Sequence, residues 1–182
     1  VPGPLPRMLR RPMPAGRVRF VEEISLVDDI RKHRIDPQRH WPEMADQMLA
    51  LLKGRSPLRV PPHKSYRAII DFEDYFCAYP QMLTSQGKDA RITIGWAEAL
   101  FEELQSMGPH GPKGNRHDIE NRLFAGFADA FLLDGGANRN YTTLWWEAGR
   151  YVELLIETRD EELVLHQLIF EETRYPLESE ST

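Results

Sequence analysis

The sequence predicts an all-β fold, a jelly-roll-like β-sandwich with one short helical insertion and an extended, proline-rich N-terminal arm. Several short segments alternate apolar and polar side chains, and turn signals rich in Gly, Pro, Asn and Asp separate them. One segment shows clear helical spacing. With 182 residues, 41% of them hydrophobic, the chain is long enough for one well-packed domain. We therefore expect an arm or linker over residues 1–16, the sandwich over 17–176 and a tail over 177–182.

The N-terminal arm is identified by its composition. Val1 to Pro14 is rich in proline and arginine and contains no acidic residue, which is typical of an extended linker. The chain from Glu153 onward is rich in glutamate, so a basic arm can lie against an acidic body. The chain begins at Val1 without an initiator methionine or a signal-peptide pattern, which we interpret as a piece of a longer polypeptide. The cellular compartment therefore stays open.

The first half of the chain predicts two strands on either side of the helix. Arg17 to Leu26 alternates loosely and predicts the first strand, and the polar segment from Asp28 to His40 predicts an irregular excursion. Glu43 to Lys53 carries apolar residues at helical spacing and stops before Gly54, which predicts the helix. Tyr66 to Phe72 alternates again and predicts a second strand.

The middle of the chain predicts a hairpin and a further strand. Phe76 to Thr84 and Ala90 to Ala97 are joined by a short turn, which favours a hairpin. Glu98 to Leu104 fits a strand and a helix alike, and the Gly-Pro-rich segment from Ser106 to Asp118 predicts a loop. Asn121 to Leu133 predicts a strand with three apolar residues on one face, namely Phe127, Phe131 and Leu133.

The stretch from Tyr141 to Leu155 holds two of the four tryptophans and runs into the clearest strand. If the stretch is extended, the adjacent rings of Trp145 and Trp146 point to opposite faces, and we predict Trp145 outward and Trp146 inward. The alternation that follows predicts a half-buried strand with its core face on three residues, Val152, Leu154 and Ile156.

The last predicted strand runs from Glu161 to Tyr175. Its alternation shifts phase near His166 to Gln167, as a β-bulge would produce.

Composition argues against several function classes. The net charge of −5 disfavours a nucleic-acid surface, and no apolar run approaches the roughly 20 residues of a membrane helix. Cys77 is the single cysteine, which excludes an internal disulfide, and it is more typical of a core residue than of a nucleophile. We find no cofactor-binding motif.

Candidate catalytic groups are weakly supported. Acidic residues cluster around Asp71 and around Glu98, but a cluster along the sequence does not create the opposed carboxylate pair, about 5 to 10 Å apart, that a glycosidase needs. His110 and His117 lie near Asp118 at a spacing that matches no known zinc pattern, so we predict a polar loop and no metal site.

Four motifs in combination resemble the bacterial α-L-rhamnosidase family, glycoside hydrolase family 78, in the region before its catalytic domain. They read GPKGNR, FLLDGG, LWWEAGRYVEL and IET and span Gly111 to Arg116, Phe131 to Gly136, Leu144 to Leu154 and Ile156 to Thr158. The spacing from the segment Trp96 to Leu100 to the GPKGNR loop is similar as well, and the resemblance covers roughly Leu58 to Pro176.

This resemblance implies a non-catalytic accessory β-sandwich domain of a multidomain enzyme that removes terminal α-linked L-rhamnose with inversion. In that family the catalytic acid and base belong to an (α/α)6 barrel that begins beyond the equivalent of Pro176, so no catalytic residue carries over to this chain. The expected partner is the catalytic domain of the same polypeptide.

Two other functions stay open. One is a carbohydrate-binding module for rhamnose-containing glycans that uses exposed aromatic rings, and the other is a self-sufficient enzyme that uses Asp71 or Glu98. For either a sugar contact or an interdomain contact, the candidate residues are Trp145, Arg150 and Tyr141. No nucleic-acid or membrane partner is expected.

Overall fold

The computed structural model describes residues 6–25, 30–105 and 110–177. Within these ranges the chain forms one α-helix, two single-turn 3-10 helices and nine strands. Helix α1 is Pro42–Leu52, and the strands are β1 Leu9–Pro12, β2 Arg17–Glu23, β3 Leu58–Val60, β4 Ser65–Gln86, β5 Arg91–Ala97, β6 Phe127–Leu132, β7 Gly135–Thr142, β8 Glu147–Glu157 and β9 Leu163–Arg174.

Strand β4 organises the fold because it belongs to both layers of the sandwich. Its first part, Ser65–Asp71, lies between β2 and β8, and β8 continues the layer through β5 to β6. Its last part pairs with β7 and β9, and β9 also pairs with β1 and β3. The register shifts between Asp71 and Phe76, and Glu73 there has a φ of 65°. All of these pairs are antiparallel, so the predicted all-β sandwich is confirmed.

The main core lies between the two layers. It combines inward side chains of the first layer, such as Ile70 and Val152, with those of the second layer, such as Met82 and Leu165. Helix α1 packs its buried face against β2, β3 and β9. The phenyl rings of Phe72 and Phe170 and the indole of Trp96 meet with centroids 5.1 to 6.1 Å apart.

A second apolar cluster covers the outer face of the first layer. Ile69 of β4 and Tyr151 of β8 project there, together with Phe20 of β2. Ile35 and Ile119 reach them from the segments 30–40 and 98–125, which cross this face. The middle strands of the first layer are therefore buried on both faces.

Several predicted elements are confirmed. Helix α1 matches the predicted helix, and Gly54 follows it with a φ of 63°. The bulge in β9 is present, since Leu83 pairs with Gln167 whereas the next residue of β4 pairs with Leu165, which leaves His166 unpaired. The face of β5 formed by Ile92, Ile94 and Trp96 is buried in the core.

Other predictions about the strands are wrong. Phe76 to Thr84 and Ala90 to Ala97 form no hairpin, because β8 lies between β4 and β5 in the first layer. Strand β8 is buried on both faces rather than half-buried, since loops cover its outer side. Phe127 does not share the buried face of Leu133 but is 77% exposed at the start of β6.

The N-terminal arm is partly built into the sandwich. Leu9 to Pro12 pairs with β9, and Arg10 and Arg11 form ion pairs with Glu171 and Glu172. The predicted contact of a basic arm with an acidic body is confirmed here. Part of the loop predicted over Ser106 to Asp118 lies outside the described residues; its described part, from 110 onward, has no strand or helix.

Candidate functional site

The connection between β7 and β8 exposes apolar side chains. Leu144 is fully exposed, and Trp145 is 66% exposed, as predicted for its outward ring. Trp146 is half-buried and does not enter the core. The two indoles stack on each other with centroids 5.9 Å apart and an interplanar angle of 28°.

The stacking corrects the prediction of opposite orientations for the two tryptophans. Residues 143–146 bend between two strands, so the alternation of an extended segment does not apply to Trp145 and Trp146. The two indoles therefore lie against each other, and most of Trp145 stays accessible to solvent. We call Leu144, Trp145 and Trp146 the aromatic patch.

Strand β6 carries a further exposed aromatic ring, that of Phe127. The pKa of Glu147, which follows the patch, is raised by burial and by the charge of Asp129 on β6. The start of β8 therefore lies close to β6, and Phe127 stands exposed two residues before Asp129.

Tyr141 lies at the base of the same connection but faces inward. Its ring packs edge-on against Phe131, with centroids 6.1 Å apart, and touches the main core. Its hydroxyl lies 3.4 Å from the amide nitrogen of Asp134 and 3.5 Å from the Oδ1 of that residue. Tyr141 therefore joins the edges of β6 and β7, and its aromatic face is not free as that of Trp145 is.

Arg150 is placed within a charged array on the outer face of the first layer. Its side chain is 12% exposed and donates from Nε to Oδ1 of Asp71 at 2.8 Å and from Nη2 to Oδ2 at 2.9 Å. Arg19 donates to Oδ2 of Asp71 at 2.9 Å, and the amide of Glu73 donates to Oδ1 at 2.8 Å. Arg150 therefore lies in a charged, mostly buried environment, whereas Trp145 lies in the exposed aromatic patch.

A guanidinium of the array selects the tautomer of one histidine. Nη1 of Arg150 lies 3.1 Å from Nδ1 of His117, and a guanidinium can only donate, so this Nδ1 accepts. The ring proton of His117 then resides on Nε2. The hydroxyl of Tyr151 donates to the carbonyl of Arg116 at 2.6 Å and holds the same loop onto β8.

A second charged cluster lies further along the same face. Arg67 is fully buried and donates to Glu153 at 2.7 Å and to Glu22 at 3.3 Å. Burial raises the pKa of Glu153, whereas the attraction of Arg67 acts in the opposite direction. Arg39 pairs with the same Glu22 at 3.1 Å. This cluster ties β2, β4 and β8 together beneath the covering loops.

The carboxylates proposed for a self-sufficient enzyme are held in their ionised form. Burial acts to raise the pKa of Asp71, but the hydrogen bonds and charges of Arg150 and Arg19, with the amide of Glu73, outweigh it, and the pKa is lowered. The hydrogen bond from Lys113 lowers the pKa of Glu98. A general acid requires a raised pKa, so neither group is prepared for that role.

The environment of Cys77 also disfavours a reactive form of its side chain. Burial raises the pKa of the half-buried Cys77, which favours the unreactive thiol over the thiolate. Among the described residues, no three His, Cys, Asp or Glu side chains are placed to hold a metal ion. No helix within the described ranges is long and apolar enough to cross a membrane.

Sequence reasoning missed the array around Asp71. Its components were visible separately, since Asp71 belongs to an acidic cluster and His117 to the polar loop. The available signal was the placement of charged residues, Arg67, Asp71 and Glu153, at the outward positions of strands that are otherwise strongly apolar. Charged residues at such positions are either covered by a loop or exposed to solvent. The local sequence pattern is the same in both cases, so it does not tell the two apart.

Comparisons with known proteins relate the chain to others through its fold. No protein-family model and no curated protein match the sequence. A rhamnosidase from Klebsiella oxytoca with rhamnose bound aligns with 92% of this chain and 30% of its own, at 16% identity and a TM-score of 0.50. A GH78 family rhamnosidase of Bacillus sp. GL1 aligns with 69% of this chain and 12% of its own, at 11% identity and a TM-score of 0.48.

A fucolectin from striped bass serum (Morone saxatilis) aligns with 66% of this chain and 37% of its own, at 14% identity and a TM-score of 0.32. The chain thus spans less than a third of the length of either rhamnosidase. At these identities the likeness concerns the fold alone. The chain has a β-sandwich fold similar to a region of the Klebsiella rhamnosidase.

Proposed function

We propose that this chain is a non-catalytic accessory domain of a multidomain, α-L-rhamnosidase-like glycoside hydrolase and that its aromatic patch contacts the catalytic (α/α)6 barrel of the same polypeptide. The observation that carries the proposal is the consecutive exposure of Leu144 and Trp145, fully and by 66%, in a bend held by neighbouring strands. Exposed apolar patches of this kind mark interaction surfaces, and tryptophan is enriched among the residues that dominate binding energy.

The sequence motifs and the fold support the catalytic barrel as the occupant of the patch. The patch lies within the LWWEAGRYVEL motif, which resembles the region before the catalytic domain of rhamnosidases. The fold is similar to a region that makes up 30% of the Klebsiella rhamnosidase chain, which leaves a large remainder to be contacted. The chemistry of the patch also suits a protein partner, since a fully exposed leucine has no hydrogen bond to offer a sugar hydroxyl.

The first test concerns the parent gene. We expect the coding sequence beyond Thr182 to specify a helical region of several hundred residues with acidic motifs. The isolated chain should fold and show no hydrolysis of an aryl α-L-rhamnoside. Turnover that copurifies with the chain through every purification step would overturn the non-catalytic assignment.

The second test concerns the contact itself. The downstream region, expressed separately, is titrated into the 182-residue chain while tryptophan fluorescence is recorded, and burial of Trp145 should shift the emission to shorter wavelength. Trp145→Ser and Leu144→Ser should each weaken association at least about tenfold, which corresponds to about 1.4 kcal/mol. Leu132→Ser is the matched control, because Leu132 is also strongly exposed but lies at the end of β6, outside the aromatic patch. Equal affinities for the three variants would contradict the docking role of the patch.

A second function is favoured by one observation, the free outer face of Trp145 above a stacked Trp146. This geometry suits a carbohydrate-binding module in which the apolar face of a sugar ring stacks on the indole, with a contribution of about 1 kcal/mol. Calorimetric titration with rhamnose-containing oligosaccharides distinguishes the two functions. Heat that Trp145→Ser abolishes would support the module, and no heat at millimolar sugar would remove it.

A further inference from the structure

A cleft of about 440 Å³ opens on the outer face of the first layer, beside the array around Asp71. It is lined by Arg19 of β2 and by the loop residues His117, Asp118, Ile119, Glu120 and Asn121. A smaller cleft of about 150 Å³ adjoins it and shares Arg19, Ile119 and Glu120. A combined volume in this range suits a small ligand.

The walls of the cleft are held in place by buried groups. Asp71 is 1% exposed and fixes the guanidinium groups of Arg19 and Arg150, and Arg150 in turn fixes the ring of His117. The hydrogen bond from Tyr151 to the carbonyl of Arg116 secures the loop immediately before His117. Side chains that are already ordered lose less conformational entropy when a ligand binds. This order favours binding of a ligand that makes only weak contacts.

The polar groups of the cleft combine donors and acceptors. Glu120 forms no ion pair among the described residues, and Asp118 has only a long contact of 3.5 Å to Arg122. Both carboxylates are therefore free to accept hydrogen bonds. Arg19 and the Nε2–H of His117 supply donors.

The balance of charge selects the class of ligand. Arg19 and Arg150 share the single negative charge of Asp71, and the carboxylates of Asp118 and Glu120 offset the remaining positive charge, so the charges around the cleft are balanced and select neither an anion nor a cation. No set of three metal-binding side chains is present in the described part of the chain, which disfavours a metal ion. A neutral molecule with several hydroxyl groups can accept from the donors and donate to the carboxylates at the same time.

The adjoining cleft contributes apolar surface. The exposed Pro37 and the half-buried ring of His40 line it, and His40 stacks on the buried Phe20 with ring centroids 5.8 Å apart. A pyranose presents C–H groups on one side and hydroxyls at its rim, which matches an apolar floor beside a polar wall.

We propose that this cleft binds a neutral monosaccharide unit, with Glu120 and Asp118 accepting from adjacent hydroxyls and Arg19 and His117 donating to sugar oxygens. The site is separate from the aromatic patch and does not depend on the docking proposal. A failure of either proposal therefore leaves the other standing.

The experiment is a nuclear magnetic resonance titration of the 182-residue chain with L-rhamnose, D-galactose, D-mannose and D-glucose. At least one hexose should shift the amide signals of residues 117–121 with a Kd in the millimolar range or tighter. Glu120→Gln should weaken that binding at least about tenfold, because the charge of the acceptor is lost. Glu120 is exposed, so the variant should keep the fold, which its amide spectrum and melting temperature will verify.

Two variants serve as controls. Asp46→Asn removes an exposed carboxylate on helix α1 and should leave the affinity unchanged. Trp145→Ser should also leave it unchanged, and a loss of binding in that variant would assign the sugar to the aromatic patch and overturn the proposal. Absence of a shift at 117–121 with all four hexoses, or tighter binding of inorganic phosphate or D-glucuronate, would overturn it too.

Discussion

Replacement of Asp71 by asparagine tests how strongly the charged array stabilises the fold. The substitution keeps the size of the side chain but removes a charge that three hydrogen bonds from Arg150 and Arg19 compensate at 2.8 to 2.9 Å. The asparagine amide carries an NH2 group in place of one acceptor oxygen of the carboxylate. This donor then faces a guanidinium, which can also only donate. The two arginines are left without their counter-charge on a face covered by loops.

The expected cost follows from the burial of the partners. Removing one member of a buried ion pair costs about 3 to 5 kcal/mol. Asp71 is 1% exposed, but Arg150 is 12% and Arg19 35% exposed, so water can partly solvate the two cations in the variant. We therefore expect the lower end of the range, about 3 kcal/mol, which lowers the Tm of a chain of this size by about 6 to 12 °C.

The effect should depend on pH in a defined direction. Because the pKa of Asp71 is lowered in the folded state, its contribution to stability is complete above the unfolded pKa of about 3.9 and is lost as the pH falls through the folded value. The difference in unfolding free energy between the wild type and Asp71→Asn should thus be constant from neutral pH down to about pH 5 and shrink below about pH 4.

Urea unfolding followed by circular dichroism at several pH values measures these differences. Glu73→Gln is the matched control, since Glu73 lies two residues away in an exposed pair with Arg17 and should cost at most about 1 kcal/mol. Equal destabilisation by the two variants would refute the role assigned to the buried array. So would a difference between the wild type and Asp71→Asn that persists unchanged at acid pH.

Two further substitutions probe the first layer by thermal unfolding. Arg67→Met should lower the unfolding free energy by about 3 to 5 kcal/mol, because the buried Glu153 loses its counter-charge and Glu22 keeps only Arg39, and a cost below that of an exposed pair would contradict this. Gly149→Ala should cost about 1 to 3 kcal/mol, because its Cβ would lie 2.8 Å from the backbone oxygen of Ala97. Gly136→Ala, which meets only the flexible side chain of Arg139, should cost less, and the reverse order would count against the steric explanation.

Local sequence patterns predict best those elements whose environment is the same along their whole length. Helix α1 has one buried face, and its spacing of Met44, Met48 and Leu51 reports that face directly. The bulge at His166 could be predicted because the apolar face of β9 changes phase there. In both cases the spacing of the apolar side chains along the sequence is sufficient to predict the feature.

The arrangement of the strands could not be read in the same way. A strand pattern shows which side chains are buried but not which strand supplies the hydrogen-bond partner, so β8 could not be placed between β4 and β5. The polar segment from Glu73 to Tyr75 resembles a break between two strands, although β4 continues through it with a shift in register.

The candidate functional sites were also only partly predictable from local sequence patterns. The exposure of Trp145 followed from its adjacency to Trp146, but the stacking of the two rings depends on a bend that alternation cannot reveal. The surroundings of Arg150 depend on contacts with Asp71 and His117, which are 79 and 33 residues away along the chain. Contacts of that separation leave no periodic trace in the sequence.

The sharing of β4 between both layers has a consequence for how the domain unfolds. In a sandwich made of two separate sheets, one sheet can open while the other keeps its hydrogen bonds. Here the backbone of β4 pairs with β2 and β8 in one layer and with β7 and β9 in the other. Loss of β4 removes the central partner of each layer at once, so we expect the two layers to unfold together as a single cooperative unit.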